Sequence, residues 1–356
     1  MRITFVLASG FGLLGGDRVI ATLAKQLHER GHTVNLISRP RRATAWYARW
    51  NAPPKESHFD SLPMPRRVLE RYRPVVNEDV PDADVVVATW WETAEWVAAL
   101  APSKGAKAYL IQHHETFDYL PQARVAATYR LPLHKIVVSQ WLLELMENEY
   151  GDPCVSKIRM GVDGAHFHAP PRDKQPVPTI GFMYSQISWK GAAVMAQALM
   201  QVKRTLPTTQ IRAFGMDTPS PALPLPPDTE FSYRPAQDDL PAFYASCDVW
   251  LCGSWSEGFT LPPMEAMACR CPVVSTRVGG PSEMIREDVN GYLVEPGDAV
   301  GLAERIQRVL ALDPLRWRAM SDAAYAAAAE YTWENATDTF TDALCLAIER
   351  RRRHEI

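Results

Sequence analysis

Two carboxylates with seven residues between them, Glu257 and Glu265, bracket the stretch of this 356-residue chain whose residue types best suit chemistry: Glu257-Gly258-Phe259-Thr260-Leu261-Pro262-Pro263-Met264-Glu265. Pro262 and Pro263 fit the opening of a helix, where a missing backbone N–H costs nothing, so the spacing predicts a loop running into a helix that ends near Ala268. Glu257 then lies in the loop and Glu265 in the first helical turn. The backbone N–H groups of Gly258, Phe259, Thr260 and Leu261, with the positive end of the helix dipole, attract an anion. Each carboxylate accepts hydrogen bonds from vicinal hydroxyls in pairs. The combination suits a ligand with phosphates and many hydroxyls, such as the sugar and the ribose of one nucleotide-sugar. Acids that merely decorate a helix start are the reading without function. Two further residues stand where chemistry is plausible. Lys190 precedes a helix start, against the dipole, and His113 directly follows a strand, facing the crevice above it.

The elements that must position these groups alternate along the chain. Strands are predicted at Ile3–Ala8, Thr33–Ser38, Val85–Ala88, Ala108–Gln112 and Lys135–Val138, then at Thr179–Met183, Gln210–Phe214, Asp248–Leu251, Val273–Ser275 and Gly291–Val294. Helices such as Asp17–Arg30, with Val19, Ile20, Leu23, Ala24 and Leu27 on one stripe, return the chain for parallel pairing. This is α/β architecture twice over, each half with a ligand crevice at the C-terminal ends of its strands. The Pro-rich stretch 169–178 reads as the linker between a first domain at 1–168 and a second at 179–332. A last helix from about Trp333 to Arg353 follows.

Composition narrows the class. Apolar residues at 47% and charged ones at 22% are those of a soluble globular chain, and a net charge of −3 argues against a general nucleic-acid binder. Six cysteines, with neither zinc-ligand spacing nor the density of a secreted scaffold, point to buried thiols in a reducing cytoplasm. The opening apolar run is too short for a signal peptide and reads as the first strand. No run approaches the length of a membrane helix. Nine basic residues lie between Arg39 and Arg73 (Arg39, Arg41, Arg42, Arg49, Lys55, Arg66, Arg67, Arg71, Arg73), interleaved with Trp46, Tyr47, Trp50, Phe59 and Tyr72. They suit a solvated basic face, peripheral docking on an anionic inner membrane surface, or a lipid diphosphate. Among Trp90, Trp91 and Trp96, at least one is expected to line the crevice and stack on an acceptor sugar, the others packing in the core.

On these motifs the chain resembles the retaining glycosyltransferases of family four, over nearly its whole length. The acidic segment carries the resemblance, continued by Ala266-Met267-Ala268, by the strand and Gly-Gly turn of Pro272 to Gly280, by Gly161-Val162-Asp163, Trp189-Lys190-Gly191 and Asn290-Gly291-Tyr292-Leu293-Val294, and by Gly15-Gly16 and Ile111-Gln112-His113-His114-Glu115. The resemblance implies a GT-B fold: two Rossmann-like α/β/α domains facing each other across a deep cleft, the first completed by the terminal helix at about 333–356. It implies catalytic roles for Glu257 on the transferred sugar, Lys190 on the donor diphosphate and His113 near the donor sugar. It implies donor binding by Gly15, Gly16, Ser185, Lys190, Gly258, Phe259, Thr260, Leu261 and Glu265, the last gripping the ribose. Ser185 stands where the family usually has a second cation, and Met160 where it has an Asn. The activity implied is a metal-independent, retaining hexosyl or deoxyhexosyl transfer from a nucleotide-sugar to a saccharide or lipid-linked saccharide, in cell-surface polysaccharide or glycoconjugate synthesis, with no cofactor and no metal.

Two other readings compete. Gly10-Phe11-Gly12-Leu13-Leu14-Gly15 formally matches the dinucleotide fingerprint, and Arg39, Arg41 and Arg42 after the second strand would favour NADP, giving an oxidoreductase. No tyrosine has a lysine four residues on to complete a hydride-transfer site. A non-catalytic nucleotide-sugar binding protein is the third reading.

Overall fold

The computed structural model describes residues 1–40 and 57–356, which form two compact units. The first comprises Met1–Met160 with Trp333–Ile356, and the second Gly161–Thr332.

The first unit is built on a parallel sheet of β1 (Arg2–Leu7), β2 (Thr33–Ser38), β3 (Arg66–Val68), β4 (Val85–Ala88), β5 (Ala106–Ile111), β6 (His134–Val137) and β7 (Ser156–Lys157), in the order β3-β2-β1-β4-β5-β6-β7. Strand order reverses direction between β1 and β4, the point at which α/β sheets open a ligand crevice. Helix α1 (Gly15–Glu29) buries the predicted stripe of Val19, Ile20, Leu23, Ala24 and Leu27. The helices α2 (Trp91–Ala99), α3 (Gln122–Thr128) and α4 (Gln140–Asn148) follow β4, β5 and β6.

The second unit repeats the scheme with β8 (Thr179–Tyr184), β9 (Gln210–Gly215), β10 (Thr229–Tyr233), β11 (Val249–Cys252), β12 (Val273–Thr276) and β13 (Gly291–Val294), in the order β10-β9-β8-β11-β12-β13. Its switch point lies between β8 and β11. The helices are α5 (Ala192–Thr205), α6 (Leu240–Ala245), α7 (Leu261–Ala268), α8 (Pro281–Met284), α9 (Ala299–Ala311) and α10 (Pro314–Ala329). Helices α5 and α9 pack together over a core that includes Phe182, Leu199, Leu251, Ile306 and Trp317, each under 2% exposed.

The last helix, α11 (Trp333–Arg352), returns to the first unit. Phe340 stacks on Phe5 of β1 at 5.9 Å, and Arg30 pairs with Asp338 at 2.6 Å while donating to the Glu334 carbonyl at 2.9 Å.

Three strands escape sequence reading: β3, β7 and β10. All are short or at a sheet edge, and the burial of β3 and β10 explains why, since every residue of β3 is exposed and β10 has no buried residue. An edge strand without a buried face carries no apolar alternation to detect. The Pro-rich stretch 169–178 lies within the second unit. Asp248 accepts the backbone N–H groups of Gln175 and Thr179 at 2.8 and 2.9 Å, and Lys174 donates to the Leu310 and Leu312 carbonyls at 2.6 and 2.9 Å. These bonds fasten the stretch to the second sheet.

Candidate functional site

At the switch point of the second sheet, the loops after β8 and β11 are laced to each other. The Trp255 N–H donates to the Trp189 carbonyl at 2.7 Å. Gly191 adopts φ +68°, and a Cβ there would stand 1.8 Å from the Gly253 carbonyl oxygen, so only glycine permits this approach. The approach brings Lys190 onto Glu257. The Lys190 Nζ donates to Glu257 Oε1 at 2.7 Å and to Oε2 at 2.9 Å, with the carboxylate side chain 5% exposed. Ser254 Oγ donates to Glu257 Oε1 at 2.8 Å, and Thr276 Oγ1 of β12 fixes the Ser254 carbonyl at 2.6 Å. A lysine ammonium has three N–H donors. Two are spent on Glu257, and the pair lines a small hollow of about 20 Å³, bounded also by Ser254 and Thr260.

Helix α7 begins at Leu261, so Glu265 is its fifth residue and stands in the second turn, a correction to its expected place in the first. Glu265 is 3% exposed and accepts a hydrogen bond from the buried Tyr244 hydroxyl at 2.8 Å. The hollow is lined by Glu257 and, among the described residues, not by Glu265. Thr260, before the helix, sits at φ +70° and ψ 112°, a sparsely populated region for a β-branched residue. The neighbouring Phe259 carbonyl is held by the Gly280 N–H at 2.7 Å, and Gly279 and Gly280 lack the Cβ that would meet that carbonyl at 2.9 and 2.8 Å. Ser185 is buried, and its hydroxyl accepts the Ile187 N–H at 3.2 Å, which shapes the turn toward Lys190.

In the first unit, the turn after β5 lies beside the start of α1. Gln112 Nε2 is 3.4 Å from the Gly16 carbonyl, and a Cβ on Gly16 would meet the Gln112 side chain at 3.3 Å. Around Gly15 there is open space. His113 is half-buried, with Phe117 at 5.0 Å and Trp141 edge-on at 6.4 Å. Its Nδ1 lies 3.0 Å from the His114 carbonyl oxygen.

Two family models match: one described as "Glycosyltransferase Family 4" over residues 14–165, the other as "Glycosyl transferases group 1" over residues 177–312. The chain belongs to the family-four glycosyltransferases. A D-inositol 3-phosphate glycosyltransferase of Salinispora tropica is 34% identical over 128 residues, 36% of this chain and 25% of that protein; one of Mycolicibacterium vanbaalenii is 36% identical over 121 residues, 34% and 26% of the two chains. The matched segments thus span about a quarter of the length of these curated relatives. Among solved structures, Anabaena Alr3699/HepE in complex with UDP-glucose superposes with a TM-score of 0.75 over 97% of this chain and 99% of that one, at 19% identity. Sucrose-phosphate synthase from Thermosynechococcus elongatus gives 0.71 over 96% and 98%, also at 19%. These likenesses establish the GT-B fold.

Within this family-four glycosyltransferase, residues that sequence reading passed over hold the site together. Ser254 donates to Glu257 and Tyr244 to Glu265, and neither carries a spacing signal of its own, because the pairing is made by the fold. Among the described residues, Arg39, Arg66, Arg67 and Arg73, expected to bind NADP phosphate or a membrane, form ion pairs within the first unit. Arg39 is 6% exposed, forms a bidentate pair with Glu92 and lies over the Tyr72 ring at 4.1 Å. Arg66 pairs with Asp60 at 3.2 Å, Arg67 with Asp79 at 3.0 Å, and Arg73 with Asp79 and Glu70. Asp79 lies beyond the basic stretch in sequence, and the fold brings it onto two of its arginines. Arg41, Arg42, Trp46, Tyr47, Arg49, Trp50 and Lys55 lie outside the described residues. Trp91 and Trp96 are core residues, 5% and 8% exposed, leaving Trp90 as the half-buried member of the three. No helix among the described residues is long and apolar enough to cross a membrane.

Proposed function

We propose that the chain transfers a hexosyl or deoxyhexosyl group from a nucleoside-diphosphate-sugar to a saccharide or lipid-linked saccharide, with retention of anomeric configuration and without a metal. The observation that carries the reading is the Lys190–Glu257 pair, lodged at the switch point of the second sheet inside the family segment. Glu257 holds the ammonium in place by two hydrogen bonds, so the third N–H is aimed without cost of reorganisation at an anionic oxygen. In the reaction the bond from the anomeric carbon to the diphosphate oxygen breaks, and a bond to the acceptor hydroxyl oxygen forms on the same face. The acceptor proton passes to the departing phosphate oxygen. Negative charge grows on that leaving group, and a fixed cation beside it lowers the barrier. The proposal assigns Glu265, buried and set by Tyr244, to the ribose hydroxyls and His113 to the donor sugar. The UDP-glucose complex of the Anabaena neighbour favours a uridine nucleotide as the first donor to try. A role in polysaccharide or glycoconjugate synthesis in the cytoplasm, with peripheral contact to the inner membrane face, completes the proposal.

A thermal-shift series with UDP-, GDP-, dTDP- and ADP-sugars tests it, since a ligand that binds only the native state raises the melting point by mass action. One nucleotide should stand out and support release of its diphosphate. Proton NMR of the product then reads the anomeric configuration. No shift with any of the four, or an inverted product, overturns the reading.

A further inference from the structure

The turn after β5 contains a buried acid to which the proposed chemistry assigns no part. Glu115 is 1% exposed and, among the described residues, forms no salt bridge. Its Oε2 accepts the backbone N–H of Trp91, the first residue of α2, at 2.8 Å and lies 3.2 Å from the Tyr109 hydroxyl. Its own backbone N–H donates to the Tyr129 hydroxyl at 2.8 Å, and the Tyr109 and Tyr129 rings stack at 5.9 Å and 7°. Burial without a counter-charge pushes Glu115 up to about 8, so at neutral pH it is mainly the uncharged acid, a partner suited to neutral hydroxyls.

The peptide group between His114 and Glu115 is therefore gripped at both ends. Its N–H goes to Tyr129, and its carbonyl oxygen, 3.0 Å away, faces Nδ1 of His113. A carbonyl oxygen can only accept, so His113 Nδ1 must carry the proton, and in the neutral imidazole Nε2 then carries the lone pair. Which nitrogen of a histidine is protonated is set by the bond the other makes. Rotation of that one peptide would remove the acceptor and release the ring to the opposite tautomer. His114 does not compete for the role, because its ring is engaged by Tyr150 at 2.7 Å and Thr116 at 3.2 Å.

We propose that Tyr129 and Glu115 are positioning residues which, by locking the His114–Glu115 peptide, hold His113 as the Nδ1–H tautomer with Nε2 presented as a base or hydrogen-bond acceptor. The consequence for activity rests on the function proposed above, whereas the tautomer does not. Nitrogen-15 imidazole NMR on the full chain, with His113 assigned by its loss in His113→Asn, reads the tautomer directly. The wild type should show a protonated Nδ1 and a bare Nε2. Tyr129→Phe keeps the ring stack and removes the acceptor. It should shift His113 toward the Nε2–H form and lower kcat about tenfold, the effect of one lost hydrogen bond, with donor KM unchanged. Glu115→Gln, a neutral isostere of the uncharged acid, should retain the wild-type signals. A wild-type His113 protonated on Nε2 overturns the proposal, and so does a folded Tyr129→Phe protein whose His113 signals do not move. Absence of glycosyl transfer in the wild type would sink the functional reading and leave the tautomer result standing.

Discussion

The two units reuse one parallel-sheet plan, yet they fasten their candidate groups by opposite means. In the second unit the fastening is ionic and steric: Lys190 is clamped on Glu257, and loops approach so closely that Gly191 admits no side chain. In the first it is neutral: a peptide, two tyrosine hydroxyls and an uncharged acid orient His113, while Gly15 stands in open space. A fixed charge is suited to a phosphate that arrives and departs as an anion, and a neutral network suits a group whose protonation state must be preserved.

The largest effect that would sharpen this contrast comes from glycine. Gly191→Ala should destabilise the second unit by about 3 kcal/mol or more, because the φ of +68° and the contact with Gly253 cannot both survive a Cβ, whereas Gly15→Ala, in open space at a helix start, should change stability by less than about 0.5 kcal/mol. Chemical denaturation of the two variants measures both; equal losses would break the contrast. Next in size, Tyr244→Phe leaves a buried Glu265 carboxylate short of one donor, and donor affinity should fall about tenfold with fold retained, read by calorimetry.

The neutral network predicts a pH signature. Glu115 has a folded-state pKa raised from 4.5 to about 8, so its uncharged form is the one the fold favours. Stability from this group is full below about pH 4.5 and is lost as pH rises toward 8, the reverse of an ion-paired carboxylate. The groups facing it, Tyr109 and Tyr129, both have pKa values raised by burial and stay neutral across that window. Melting temperatures of Glu115→Gln and wild type should converge below about pH 4.5 and separate by pH 8, with the variant higher; parallel curves would refute the assignment. The smallest effect is expected at Thr260→Gly, which relieves the φ of +70° and should gain up to about 1 kcal/mol at the midpoint of unfolding.

Much of this was legible in sequence for reasons that also explain the gaps. The central strands were readable because both of their faces are buried, as the all-buried β4, β11 and β12 show, and so was the edge strand β13, which is also buried throughout. The edge strands β3 and β10 have no such signature. The acidic segment could be read because its spacing, its prolines and its glycines lie within a few residues of each other. The Lys190–Glu257 contact spans 67 positions and the Arg39–Glu92 pair spans 53, distances at which neither pairing leaves a mark in local sequence, so Arg39 reads there as free charge. Glu115 was visible only as a neighbour of His113; its significance lies in burial, which spacing does not encode.

The central claim is that Glu257 presents Lys190 to the donor diphosphate. Calorimetric titration of the wild type and Lys190→Ala with the nucleotide-sugar selected by thermal shift, paired with turnover of the same samples, tests it most directly. The account predicts that Lys190→Ala loses at least about a hundredfold in kcat, the scale of removing one prearranged donor to developing charge. A folded Lys190→Ala protein with wild-type affinity and turnover would contradict it.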